Sequence, residues 1–212
     1  ARGQAPEDPA IMDKIAEIQA TLGRIDEAVA TSLALAERHT ALGDRAAAIA
    51  EEAMADGRSL ALVIGREYVL NPGIYDSHVG RLLKDKGVVA LPSYVFESEL
   101  DSDYSYIYWR NPHMIISLIR AYTEKRLHKA LKNKRLKEAI RRIEKGLTES
   151  LISTVQGSTF RCGPDSVTMP TINEITKNVP TLFIQSDAMI KELAHLENRV
   201  NTHLNQLTKR LH

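Results

Sequence analysis

The sequence predicts an α/β domain with a mainly parallel sheet of about four strands flanked by helices, a Rossmann-like lobe. A helical hairpin precedes it, and a long helix closes it. Three observations carry this expectation. Short unbroken apolar runs such as Leu60–Ile64 and Val88–Leu91 have the look of strands buried on both faces. Amphipathic helical stretches lie between them, and strands alternating with helices point to parallel pairing. Aromatics are only 5% of a chain that is 43% apolar, so aliphatic side chains must fill the core.

Each element has its own signal. Asp8-Pro9 reads as a helix start, and Ile11, Ile15, Ile18 and Leu22 fall on one face before Gly23. An alanine-rich helical stretch covers about 26–56, with Gly43-Asp44 as a predicted break. Gly57 closes it, which places an N-terminal helical element at 1–57 and the α/β lobe at 58–212. After Leu60–Ile64, the segment 65–73 holds turn residues, and a helix is expected at about 77–86. Asn111-Pro112 starts the next helix. Leu151–Val155 is read as a third strand ending in a loop from Gly157 to Gly163. Thr171–Lys177 is read as a short helix with a capping box at Thr171 and Glu174. Thr181–Gln185 is the fourth strand. A last helix carries the seam Met189, Leu193, Leu196, Val200, Leu204, Leu207 and Leu211.

Composition excludes several functions. The 212 residues carry a net charge of +1, which gives no global pull toward polyanions. The single cysteine rules out an intrachain disulfide and a single-chain zinc knuckle. No apolar run is long enough to span a bilayer, and no signal peptide opens the chain, so a cytoplasmic protein with no membrane role is expected. Opening on Ala1, the chain reads as a piece of something longer. No Walker loop or Gly-x-Gly-x-x-Gly follows the first strand. No nucleophile–base pair is recognisable.

The charge is unevenly placed. An insert at 120–147 is basic: from Arg120 to Lys145 there are eleven Lys/Arg against three Glu, a net of +8. That leaves −7 for the rest of a chain whose total is +1. The insert reads as a solvated helical face. Nucleic-acid contact is the poorer reading, because no aromatic interleaves the charges to stack on bases. The carboxylates Glu97, Glu99, Asp101 and Asp103 read as a solvated loop, and Tyr104 to Trp109 as a short strand or lid. None of the seven histidines has metal-ligand context, and His113 and His195 read as structural.

In a parallel sheet, ligands gather outside the carboxyl ends of the strands. Three such ends hold candidate site residues: Gly65-Arg66, then Cys162 with Gly163, Asp165 and Ser166, then Asp187. Gly65-Arg66 reads either as an ordinary turn or as a corner offering N–H groups and a cation to a phosphate. Cys162 reads either as a small apolar filler or as a thiolate stabilised by nearby amides and Arg161. One cysteine cannot hold an iron–sulfur cluster, so any cluster role needs thiols from outside this chain.

Three segments together resemble a known family. They are Gly65–Tyr75 (GREYVLNPGIY), Ile107–His113 (IYWRNPH), and Ser158–Ser166 (STFRCGPDS) with the stretch from Ile184 through Ile190–Thr202. Over about 60–207 the chain resembles the large CoA-substrate-specific enzyme activases, also called activators of 2-hydroxyglutaryl-CoA dehydratase, in the region downstream of their ATPase domains. The resemblance implies an α/β lobe similar to those of 2-hydroxyacyl-CoA dehydratase subunits, in which cysteines from two lobes share a 4Fe–4S cluster. It implies that Cys162 is the last-lobe ligand and that Gly65, Arg66, Gly163, Asp165, Ser166 and Asp187 surround the cofactor. It further implies that ATP acts only in other domains of the full-length protein, and that the partners are neighbouring lobes and a dehydratase-like protein. The alternative is a non-catalytic interaction module docking on such a lobe or dehydratase.

Overall fold

The structure is a computed structural model and describes residues 9–65, 78–96, 110–159, 163–186 and 194–208. The chain divides into two compact units, Ala1–Arg45 and Ala46–His212.

The first unit holds α1 (Pro9–Thr21) and most of α2 (Ile25–Ala55). Gly23, at φ +74°, makes the turn between them, a conformation that a side chain would strain. Thr31 Oγ1 donates to Gln19 Oε1 at 2.9 Å, and Arg24 pairs with Glu27, fixing the start of the hairpin. The buried face runs through Met12, Ala16 and Ala28, while Ile18 and Leu22 are 51% and 67% exposed. The expected inward face was therefore shifted. Two antiparallel helices cover only one stripe of each other, and the small alanines allow close approach there.

α2 runs unbroken through Gly43-Asp44, against the expected break. A single interior glycine costs about 1 kcal/mol, which the surrounding alanine-rich turns offset. The last third of α2 contributes Ala46, Ala47, Ala50 and Ala53 to the core of the second unit.

The second unit is an α/β fold. Its elements are β1 (Leu60–Ile64), α3 (Val79–Asp85), β2 (Val89–Pro92), α4 (Arg110–Thr123), α5 (Lys134–Glu144), β3 (Ile152–Thr159), α6 (Gly163–Ile175), β4 (Thr181–Ser186) and α7 (Ala194–Thr208). The strands form one all-parallel sheet in the order β2-β1-β3-β4. Side chains alternate across it. Leu60, Leu62 and Ile64 face a core shared with α2, α4, α5 and Ile172 of α6. Ala61 and Val63 face the opposite core, built with Val79, Leu82 and Leu83 of α3 and Leu196 and Val200 of α7. Helices thus cover both faces, which is why β1 is apolar at every position. Of the predicted final seam, Leu196 and Val200 are buried and Leu204 packs partly, while Met189, Leu193 and Leu211 lie outside the described residues.

Two elements differ from expectation. β3 extends to Thr159 rather than stopping at Val155, because Gly157, Ser158 and Thr159 pair with Ile184, Gln185 and Ser186 of β4. The helix expected at Thr171–Lys177 starts at Gly163, so Thr171 and Glu174 sit inside α6 and form no capping box. Pro164 suits a first turn, where its missing N–H costs nothing. Pro170 lies within the helix, and the burial of Thr168 and Ile172 on either side holds the turn together.

The basic insert folds around its own carboxylates. Leu127–Ala130 forms a 3-10 turn. Glu144 accepts from the Leu127 N–H at 2.6 Å and the His128 N–H at 3.4 Å, and its Oε2 lies 2.5 Å from His128 Nδ1. Asn133 caps α5, with Oδ1 accepting from the Leu136 N–H at 3.0 Å. Asn133→Ala is expected to lower stability by about 1 kcal/mol. A urea midpoint unchanged from the parent would show that the cap contributes nothing.

Candidate functional site at the carboxyl edge of the sheet

Four parallel strands put all their carboxyl ends on one edge. β1 leads by way of α3 to β2 on one side, and β3 leads by way of α6 to β4 on the other. The chain therefore turns away in opposite directions from β1 and β3, and the crevice between these two strand ends is where such sheets bind ligands. Gly65 directly follows β1 at this point. Ile64, the last residue of β1, is in register with Gln156, so β3 projects beyond β1 on this edge. Gly163 opens α6 after a link of only three residues, 160–162.

The candidate residues divide accordingly. Gly65 is described and buried, and its carbonyl accepts a hydrogen bond at 3.3 Å from Ser93 Oγ. Ser93 sits in the 3-10 turn Ser93–Val95 that follows β2 and is itself buried. A turn on the neighbouring strand thus pins the corner after β1. Gly163 is exposed, with open space where a Cβ would project. Asp165 and Ser166 lie in the first turn of α6, and Ser166 is exposed. Arg66, Cys162 and Asp187 lie outside the described residues, as do the acidic segment 97–103 and the aromatic segment 104–109.

Sequence reasoning missed what lies beneath this edge. β3 carries Ser153, Thr154, Gln156 and Ser158, all buried. By register, Thr154 and Gln156 share the face of Leu62 and Ile64, under the packed pair α4 and α6. That layer also holds buried His113, Ser117 and Thr168, with Ser117 Oγ donating to the His113 carbonyl at 2.9 Å. Gln156 is 1% exposed, and neither its amide nitrogen nor its amide oxygen has a partner among the described residues. A polar strip inside an otherwise aliphatic core is unusual, because each unpaired buried group costs about 1–3 kcal/mol. The available signal was the polar run Ser153-Thr154 with Gln156 and Ser158 between two apolar strands, which reads as loop until its pairing is known.

A second polar feature lies at the other end of β4. Thr181 at the strand's amino end and Asn198, Thr202 and His203 of α7 line a shallow groove. His203 is 4% exposed, and burial pushes its pKa down to about 4. Its Nε2 has no partner among the described residues. The groove is at the amino end of the strand and so belongs to the opposite rim from the crevice.

Among the described residues no group of three or more His, Cys, Asp or Glu is placed to hold a metal ion. The chain has a single cysteine, whereas a 4Fe–4S cluster takes about four ligands, mostly thiolates. These residues do not fit a complete cluster, and at most one thiolate of a shared cluster can come from this chain. No helix among the described residues is long and apolar enough to cross a membrane. No family model, no curated protein and no solved structure matches the chain.

Proposed function

We propose that the α/β unit is a lobe of a larger iron–sulfur protein of the dehydratase-activator type. In this reading Cys162 furnishes one thiolate to a 4Fe–4S cluster completed by another segment, and ATP hydrolysis in other domains drives electron transfer. The observation that carries it is positional. In the sequence the chain's one cysteine lies between β3 and the 13-residue α6, and the strand order reverses between β1 and β3. Helix N-termini offer unpaired N–H groups and a positive partial charge, which favour a thiolate over a thiol. Gly65, Arg66, Gly163, Asp165, Ser166 and Asp187 would then line the surroundings of the cluster or of a CoA ester. The partners are the neighbouring lobe that supplies the remaining thiols and a 2-hydroxyacyl-CoA dehydratase-like protein. A reducing cytoplasm suits a free thiol of this kind.

The test is anaerobic reconstitution of the full-length protein with iron and sulfide, comparing the parent with Cys162→Ser. The serine keeps the size of the side chain, and circular dichroism checks that the fold is retained. Iron content and the visible spectrum of the cluster should fall sharply in the variant. Unchanged iron and an unchanged spectrum would remove Cys162 from the cluster.

A further inference from the structure

α5 is amphipathic in an unequal way. Leu136, Ala139, Ile140 and Ile143 are buried against the sheet's helical layer. Every other position from Lys134 to Lys145 is charged: six cations, Lys134, Arg135, Lys137, Arg141, Arg142 and Lys145, against Glu138 and Glu144. Glu144 turns away from solvent to hold the 3-10 turn, so Glu138 is the one carboxylate left on the outer face. Arg141 binds Glu138 through its Nε at 2.9 Å and Nη2 at 2.7 Å, and this hydrogen bonding holds the Glu138 carboxyl below its usual pKa. Arg135 binds Glu51 of α2 at 2.6 Å. Lys134, Lys137, Arg142 and Lys145 are exposed and make no ion pair with a described carboxylate. Exposed Lys129, in the neighbouring 3-10 turn, adds to the same basic insert.

Concentrated charge of one sign needs a reason, since like charges repel and lower stability without adding contacts. We propose that the solvent face of α5 is a docking surface for a protein that presents a compact acidic patch. Charge complementarity selects the class of partner. The rest of the chain carries a net charge of −7 once the insert's +8 is taken from the total of +1, so the sequence supplies no broad cationic field of the kind that holds a long polyanion such as duplex nucleic acid. A compact patch meets only the ridge. No aromatic residue lies between Thr123 and Glu149 to stack on exposed bases, which removes the single-strand alternative. The pairing of two arginines within the fold leaves mainly lysines free, and lysines act as mobile point charges suited to steering encounter rather than bidentate base reading. This docking surface stands apart from the cluster reading and survives its failure.

The experiment titrates the protein against a short poly-L-glutamate and, separately, against a duplex DNA of matched total charge, at low and moderate salt. The second protein is the charge-reversal variant Lys134→Glu, Lys137→Glu, Lys145→Glu, whose substitutions sit on solvent-facing positions; circular dichroism confirms that α5 remains. Poly-glutamate should bind the parent more tightly than DNA does, and the variant should weaken that binding tenfold or more. Glu138→Gln, which removes the one carboxylate of the outer face, should strengthen it. Tighter binding of DNA would overturn the proposal in favour of nucleic acid. No binding of poly-glutamate, or equal binding by the reversal variant, would overturn it outright.

Discussion

Gln156→Leu is expected to stabilise the protein by about 1–3 kcal/mol. Most core substitutions do the opposite, so the sign is informative. Gln156 is almost completely buried, and among the described residues its carboxamide has no hydrogen-bond partner on either atom. Its cross-strand neighbours are Ile64 of β1 and Phe183 of β4. Leucine has a similar volume, fits between these two apolar side chains and removes two unpaired polar atoms from the core. Replacing an unsatisfied buried group with an apolar one of like shape is the case in which loss of polarity helps. A denaturant midpoint that rises with an unchanged slope would confirm it. A fall of more than 1 kcal/mol would mean that the carboxamide is satisfied in solution, by an internal water or a bound group, and that it contributes to the native state. The position makes the question worth asking, because Gln156 lies in register with the last residue of β1, just under the crevice. Proteins commonly keep a destabilising polar group where a site needs it.

The legible and illegible parts of the fold separate along physical lines. β1 and β4 were readable because a strand buried on both faces must be apolar throughout, and Leu60–Ile64 and Leu182–Ile184 are. β3 was only half readable. Beside Val155, its buried positions hold Ser153, Thr154 and Gln156, so the apolar-run signal fades where the strand matters most for the site. Gly157 looked like a stop, yet backbone pairing with Ile184 carries the strand through it, since a ladder bond needs no side chain. Gly43 was read as a breaker by its intrinsic cost, which the neighbouring alanines outweigh. At the site, the turn after β1 was visible in Gly65. Its anchor was not, because Ser93 and Gly65 are 28 residues apart and no spacing rule links them.

The pH dependence of stability should change when His203 is replaced by leucine. Burial of the imidazole against the sheet lowers its folded pKa from 6.5 to about 4, so the fold favours the neutral ring. Above pH 6.5 the ring is neutral in both folded and unfolded chains and stability is unaffected. As the pH falls from 6.5 toward 4, the unfolded chain takes up a proton that the folded chain refuses, and stability declines. Below 4 both states are protonated and the loss is complete. A shift of this size corresponds to a loss on the order of 3 kcal/mol. The charges around it do not rescue the protonated ring. Glu197 on the same helix is engaged by Lys86, just after α3, at 3.2 Å, and Arg199 adds a like charge to the groove. The other groups lining the groove, Thr181, Leu182, Asn198, Thr202 and Gln206, carry no charge that would stabilise the imidazolium. His203→Leu should therefore match or exceed the parent at pH 7 and exceed it increasingly toward pH 4.5. Subtracting the two stability curves cancels the titration of the other six histidines, so the difference isolates this one ring. Parallel curves across that window, or an NMR titration placing the His203 midpoint near its ordinary value, would show that the imidazole is solvated and that α7 packs more loosely on β4 than its buried side chains indicate.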